Sequence, residues 1–190
     1  MSSARISSIL RMPVSASDAV RIARRRCDLV QLAARKGREA DLAAAVRVAY
    51  GVDLPAPGYA ATRGDVAALW VQPNAWMMVA PPGEEGALAR AVKAACGDAG
   101  SMVDQTHGRM VFTLAGRDAR VVLQKLCRLD LHPRAFGPGR VATTLMAEIS
   151  CLLHQRDDSP SFDMMVFSSF AKHFGGALAH AAGQEGSVLS

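Results

Sequence analysis

The chain has 190 residues, 50% hydrophobic and 21% charged, which suits one generous domain with a sizeable core. Its formal net charge of +5 arises in residues 1–50, which contain ten Lys and Arg but four Asp and Glu. The densest basic run, Arg24 to Arg26, lacks interleaved aromatic residues and a recognisable reading helix, so it indicates a solvated or subunit-facing edge and no nucleic-acid site. No apolar run approaches the roughly 20 residues that span a bilayer, and we expect no membrane association.

The opening residues 1–18 are predicted to form an extended arm. They contain Ser, Arg5 and Arg11 but no acid before Asp18, which resembles a transit peptide only weakly. Two basic residues are little support for targeting, and the sequence favours a cytoplasmic chain.

Period-two alternation of apolar residues and the positions of Gly and Pro predict the strands. Pro73 and Asn74 are expected to form a hairpin turn that places Trp70 and Trp76 on neighbouring strands, with at least one indole largely buried. The predicted strands are two short ones within 19–35, then 66–71, 75–79, one near Met102, 110–115, 141–147, 149–154 and 162–167.

Apolar residues at helical spacing predict four helices, the first with acids in its first turn and Gly51 at its end. The predicted helices are 37–50, 84–96, 117–127 and about 168–182. Their expected buried stripes are Leu42, Ala45, Val46 and Ala49; then Leu88, Ala91, Val92 and Ala95; then Ala119, Val122, Leu123 and Leu126.

Strands and helices alternate in two portions of about 90 residues, which predicts an α+β fold of two similar lobes with helices packed on mostly antiparallel sheet. We assign residues 19–182 to a single two-lobed domain and residues 183–190 to a disordered tail. The four cysteines, Cys27, Cys96, Cys127 and Cys151, are far apart and are expected to be buried free thiols without a zinc site.

The polar residues show no local motif for catalysis. Asp104, beside His107, is expected to organise a turn by accepting backbone amides. Ser168 and Ser169 are expected to cap the last helix. On that helix His173 and His180 share a face, but two turns separate them by about 10 Å, too far for one metal ion.

Two further acids, Asp157 and Asp158, are predicted to be solvated in a turn. The sequence therefore predicts no catalytic, cofactor-binding or metal-binding residues.

Four collinear segments carry a family resemblance. They are YGVDLPAPG, LWVQPNAWMMVAPPG, the central unit from Ser101 to Gly139 with its LDLHPRAFGPG exit, and FDMMVFSSFAKHFGGALAHAA. In this order and spacing they resemble the gamma subunit of heterotetrameric sarcosine oxidase, a relative of the folate-binding domain of aminomethyltransferases. The resemblance covers most of residues 40–182.

The resemblance implies a non-catalytic assembly subunit with alpha, beta and delta partner subunits. In the resembling enzymes the complex oxidises sarcosine to glycine, releases hydrogen peroxide and passes the one-carbon unit to tetrahydrofolate. The cofactors FAD, FMN and NAD are implied for the alpha and beta subunits, zinc for delta and folate for alpha, and none for this chain. Whether the amine is sarcosine or another N-methylated amine is left open.

The alternative is a free-standing folate-binding or aminomethyltransferase-like protein. Aminomethyltransferases have a glycine pair followed shortly by an acidic pair on a strand, whereas the corresponding segment here, TTLMAEISCLLHQ, has one carboxylate, Glu148, and no glycine pair. The resemblance thus argues against folate chemistry on this chain.

Overall fold

The computed structural model describes residues 20–183 of the chain. The predicted arm, residues 1–18, and residues 184–190 of the predicted tail lie outside the described residues.

Within residues 20–183 the chain forms ten strands, and each strand predicted from alternation is present. One further strand, β3, follows the Pro/Gly loop after the first helix and was not predicted, because its four residues are too short and too polar to show alternation. The strands are β1 Arg21–Arg25, β2 Asp28–Ala34, β3 Ala60–Arg63, β4 Val66–Gln72, β5 Ala75–Ala80, β6 Gly100–Asp104, β7 Arg109–Ala115, β8 Val141–Met146, β9 Ile149–Asp157 and β10 Ser161–Phe167.

Four α-helices lie between or after the strands, as predicted, and a single 3₁₀ turn over Ser168–Phe170 precedes the last one. None of the helices within residues 20–183 has the length and hydrophobicity that crossing a membrane requires. The helices are α1 Glu39–Tyr50, α2 Ala87–Cys96, α3 Ala119–Gln124 and α4 Ala171–Ala181.

The strands form two five-stranded antiparallel sheets that have the same internal order. The first sheet has the order β6-β2-β5-β4-β3, and the second has the order β1-β7-β10-β9-β8. The succession β2-α1-β3-β4-β5-α2 thus corresponds element by element to β7-α3-β8-β9-β10-α4. The predicted α+β fold of two similar lobes is confirmed.

The two lobes exchange one strand each. The strand β1 comes from the first half of the chain but pairs with β7 in the second sheet, whereas β6 pairs back with β2 in the first sheet. A division of the sequence into two consecutive lobes of about 90 residues therefore misassigns both strands, because local alternation carries no information on which distant strand is the partner.

The sheets pack face to face between two outer layers of helices. Because successive strand residues point to opposite faces, β7 contributes Val111 to the core between the sheets and Phe112 to the core under α3 and α4. The Phe112 and Phe174 rings lie 5.4 Å apart there. A third core, which includes Leu42 and Val92, lies between the first sheet and the helices α1 and α2.

Backbone hydrogen bonds tie the crossover to the first sheet at one side and join the two sheets at the other. At one side, the crossover from β6 to β7 runs beside β2, and the Gln105 amide donates to the Leu29 carbonyl over 2.7 Å. At the other side, the Ala60 amide donates to the Gly139 carbonyl over 2.8 Å, which links the edge of β3 to the edge of β8.

Part of the predicted helix stripes is wrong. Leu42 and Val46 are buried as predicted, but Ala49, Ala91 and Ala95 are exposed. These helices are rich in alanine, so more than one stripe fits the helical period, and the larger side chains decide which face is buried. The stripe of α2 runs instead through Leu88, Val92 and Cys96, whereas Ala119, Val122 and Leu123 of α3 are buried as predicted.

Candidate functional site

Asp104 organises the turn between β6 and β7, as the sequence predicts. Its Oδ1 accepts a hydrogen bond from the Thr106 amide over 2.9 Å, and that backbone hydrogen bond lowers the pKa of the carboxyl group. The Thr106 hydroxyl in turn accepts from the Leu29 amide over 3.1 Å, which ties the crossover to β2. Asp104 therefore helps to hold the crossover against β2.

Glu148 lies in the two-residue turn that joins β8 and β9. Ala147 and Glu148 have φ angles of 48° and 63°, the positive values that a type I′ hairpin turn requires at both central positions. The Glu148 side chain is exposed. This position gives the carboxylate no enclosed surroundings in which to act on a bound ligand.

The predicted cap of the last helix is wrong. Neither the 3₁₀ turn nor α4 begins with a side-chain capping hydrogen bond. Ser168 instead donates its hydroxyl to the His107 carbonyl over 2.8 Å, and Ser169 is exposed. His173 and His180 are both exposed.

Within residues 20–183 the most buried charged group is Asp163 on β10, which no motif in the sequence marks. Its carboxylate is inaccessible to solvent and accepts from Arg25 Nη1 over 2.5 Å and from the Thr113 hydroxyl over 2.8 Å. Arg156 Nε lies 3.9 Å from the same carboxylate, and His154 occupies the paired position on β9. The sequence feature that could have identified Asp163 is a single acid within the mostly apolar strand SFDMMVF.

Two ionisable groups near Asp163 are held neutral by burial. Burial lowers the pKa of His154 to about 4, and burial raises the pKa of the Cys27 thiol to about 11. The cluster thus combines a neutral imidazole and a neutral thiol with a carboxylate already paired to Arg25. Such an arrangement fastens β1 to β10 across β7, and its carboxylate is closed to a substrate.

A second buried network holds the LDLHPRAFGPG segment in place. Arg120 of α3 donates to the carbonyls of Leu131 and Phe136, and its Nη2 donates to Gln155 Oε1 over 2.8 Å. The same guanidinium lies 5.3 Å from the centre of the Phe162 ring. One arginine therefore shapes the segment that carries much of the family resemblance.

Hydrogen bonds to the Asp157 side chain order the turn after β9. Asp157 accepts from the Ser159 amide over 3.0 Å and from the Ser161 hydroxyl over 2.7 Å. The carboxylate thereby fixes the hairpin into β10, and its side chain is exposed in the turn as predicted.

The Arg24 to Arg26 run divides between the interior and the surface. Arg25 reaches the buried Asp163, whereas Arg24 and Arg26 are exposed, and Arg24 lies 5.9 Å from the Phe112 ring centre. The exposed members agree with a basic edge, and Arg25 contradicts a wholly solvated run.

The cysteines are all free thiols, as predicted, and they lie in different parts of the fold. Cys27 is between the sheets, Cys96 faces the core under α2, and Cys151 faces the core under α4. Cys127 is half-buried. Among residues 20–183, no three His, Cys, Asp or Glu side chains form a group that could hold a metal ion.

The hairpin of β4 and β5 places Trp70 directly opposite Trp76, which confirms the prediction of neighbouring strands. Both indoles are half-buried, and Trp76 Nε1 donates to the Pro55 carbonyl over 2.9 Å.

Several large apolar side chains remain exposed. Two exposed rings stack against arginines: the Phe167 ring centre lies 4.3 Å from the Arg109 guanidinium carbon, and the Tyr59 ring centre 4.4 Å from that of Arg140. The exposed apolar residues are Val48, Tyr59, Val103, Val121, Leu145, Phe167 and Phe170. Apolar residues exposed singly are ordinary at a protein surface, whereas arginines and aromatic rings are enriched in protein interfaces.

The sequence model of the sarcosine oxidase gamma subunit family matches residues 36–184. The sarcosine oxidase subunit gamma of Corynebacterium sp. strain P-1 is 41% identical over 108 residues, which are 56% of this chain and 52% of that protein. Its counterpart from Corynebacterium sp. strain U-96 is 38% identical over 134 residues, 68% of this chain and 63% of that protein. The matched region therefore spans between half and two thirds of the length of these relatives.

Solved structures share the whole fold. A chain of the heterotetrameric sarcosine oxidase from Corynebacterium sp. U-96, solved in complex with pyrrole 2-carboxylate, is 32% identical with a TM-score of 0.78 and covers 93% of this chain and 91% of that chain. The glycine cleavage system aminomethyltransferase T from Bartonella henselae has a TM-score of 0.63 at 15% identity, over 85% of this chain and 45% of that chain, and shares the fold alone. With the family match over residues 36–184, these relationships show that the chain belongs to the sarcosine oxidase gamma subunit family.

Proposed function

We propose that this chain is the gamma subunit of a heterotetrameric sarcosine oxidase and that its role is structural. The observation that carries this proposal is the match to a chain of such a heterotetramer over 93% of this chain and 91% of that one. Coverage of nearly the full length on both sides supports an equivalent place in an assembly. The partners in this proposal are the alpha, beta and delta subunits, which this chain holds in place.

In the proposed complex, sarcosine is oxidised to glycine with release of hydrogen peroxide, and the one-carbon unit passes to tetrahydrofolate in the cytoplasm. The proposal assigns FAD, FMN and NAD to the alpha and beta subunits, zinc to delta and folate to alpha. The chemistry of this chain's own side chains supports a structural role for it. Its buried carboxylate at Asp163 is paired with Arg25, and burial keeps the Cys27 thiol protonated.

A free-standing folate-binding or aminomethyltransferase-like protein is the less favoured reading. The likeness to aminomethyltransferase T is at 15% identity and covers less than half of that chain. The carboxylate that falls nearest to the acidic pair of those enzymes, Glu148, is exposed on a hairpin turn.

Co-expression with the alpha, beta and delta chains of the same organism tests the proposal. A tag on this chain is expected to recover all four subunits in equal amounts, with flavin absorbance and sarcosine-dependent peroxide release. The same preparation without this chain is expected to yield less intact complex. A chain that stays apart while the other three form a fully active complex would contradict the proposal.

The isolated chain provides a second test. Its exposed apolar side chains predict self-association or poor solubility alone, measured by gel filtration and by binding of an apolar dye. A stable monomer that purifies with bound folate would favour the free-standing alternative.

A further inference from the structure

One exposed cluster combines a cation with two aromatic rings. Arg109 opens β7 and Phe167 closes β10, and the two residues are direct partners in the antiparallel register. Phe170 ends the single 3₁₀ turn that directly follows Phe167. The two rings are 42% and 50% exposed. We call Arg109, Phe167 and Phe170 the Arg109 patch.

The patch rests on a well-braced support. The Ser168 hydroxyl donates to the His107 carbonyl over 2.8 Å, and the Ser168 amide donates to the Gly108 carbonyl over 3.0 Å. The Arg109 amide donates to the Gln105 carbonyl over 3.0 Å. These bonds hold the 3₁₀ turn against the crossover between the sheets, so a partner meets a surface that needs little ordering on binding.

The charge of Arg109 has no carboxylate partner in the described part of the chain. Its Nε is buried without a hydrogen-bond partner, and no Asp or Glu within residues 20–183 forms an ion pair with it. Arg25 and Arg120, by contrast, are each engaged by buried acceptors. A partly desolvated guanidinium is unfavourable until an anion meets it, and a planar guanidinium suits a carboxylate.

The surroundings favour a protein over a polyphosphate as the source of that anion. Next to the patch His107 Nε2 lies 3.8 Å from the Glu85 carboxylate, so an acidic side chain lies on the rim. Nucleic acids and anionic membranes call for a broad basic stripe. Arginine and phenylalanine are instead enriched in the cores of protein interfaces, with a polar rim around them.

We propose that the Arg109 patch docks a segment of a neighbouring subunit that presents an Asp or Glu carboxylate to Arg109 and an apolar side chain to Phe167 and Phe170. This inference rests on the proposed function, because it takes the neighbour from the same heterotetramer. It adds which surface of this chain binds and what chemistry its partner has.

The test uses the full chain co-expressed with its three partner subunits and compares two disruptive variants with two matched controls. Arg109→Glu reverses the charge and Phe170→Asp places a charge on the apolar part. The controls are Arg35→Glu and Val48→Asp, which change two exposed residues. Arg35 follows the C-terminal end of β2, away from the crossover beside Leu29, and Val48 lies on α1. Dilution followed by size-exclusion chromatography or mass photometry measures the affinity of this chain for the complex.

Both disruptive variants are expected to weaken association by about 30-fold or more, the effect typical of an uncompensated interface charge, while the controls keep wild-type affinity. Arg109→Lys keeps the charge but not the planar stack and is expected to fall between wild type and Arg109→Glu. Circular dichroism checks that each variant is folded, and Phe170→Asp alters an exposed ring, so the test remains valid if Arg109→Glu does not fold.

The outcomes separate the two proposals. If wild-type chain does not join the other subunits, the proposed function is wrong. If wild-type chain joins and both disruptive variants join with unchanged affinity, the docking proposal alone is wrong. Loss of self-association in the variants, with the heterotetramer unaffected, would assign the patch to a second copy of this chain and would also overturn the proposal.

Discussion

The buried pair of Arg25 and Asp163 predicts an asymmetric effect of removing either partner. The Asp163 side chain is fully buried, whereas the Arg25 side chain keeps 31% of its exposure. Arg25→Met strands a carboxylate in the core, which typically costs about 3–5 kcal/mol. Asp163→Asn leaves an arginine that can turn to water, and the expected loss is about 2–3 kcal/mol, close to that of one charged hydrogen bond.

Urea unfolding followed by circular dichroism at neutral pH measures both free energies of unfolding. The double variant Arg25→Met with Asp163→Asn is expected to be more stable than Arg25→Met alone, because it removes the stranded charge. As a control, Arg47→Met breaks an ion pair with Asp53 whose two side chains are 70% and 64% exposed, and the expected loss is under about 1 kcal/mol. If Asp163→Asn were the more damaging single change, the assignment of the burial cost to the carboxylate would be wrong.

Three further predictions concern protonation and chemistry. Folding lowers the pKa of His154 to about 4, so the unfolded chain binds a proton at this residue before the folded chain does as the pH falls. The free energy of unfolding should therefore decline by up to about 3 kcal/mol from pH 6.5 to 4. In acid unfolding curves, His154→Gln should reduce this pH dependence. In a thiol assay with a disulfide reagent, half-buried Cys127 should react before the three buried cysteines, and Cys127→Ser should remove this first phase. Glu148→Gln and Asp104→Asn should each leave the rate of peroxide release by an intact complex within tenfold of wild type. Loss of a general acid or base would lower that rate by about 10²- to 10⁴-fold. A hundredfold loss in a fully flavinated complex would show that this chain does chemistry.

The elements were predictable from sequence wherever a periodic pattern coincided with clear turn residues. The hairpin around Pro73 and Asn74 is an example, since Asn74 takes the positive φ of 58° that its residue type tolerates. The face of a helix was less predictable where alanine dominates, as Ala91 and Ala95 show. The partners of strands far apart in sequence were not predictable, because β1 and β6 each cross to the other lobe.

The polar sites were predictable only where the interaction is local. Asp104 and Thr106 are two residues apart, and their turn was foreseen. Arg25 and Asp163 are 138 residues apart, and nothing in either segment identifies the other. The predicted helix cap at Ser168 was wrong for the same reason. Its hydroxyl donates to the carbonyl of His107, which is distant in sequence, and does not cap the helix that follows.

The exchange of β1 and β6 has a consequence for the order of folding. During synthesis β1 emerges early, but its partner β7 follows all the strands of the first sheet in the sequence. At elongation rates of about 5–20 residues per second, β1 therefore stays without its partner strand until β7 has been synthesised. The second sheet therefore combines strands from both ends of the described chain, and such non-local pairing slows folding. The two halves are therefore expected to fold together as one cooperative unit. If the chain is cut between α2 and β6, each fragment lacks a strand that only the other fragment supplies.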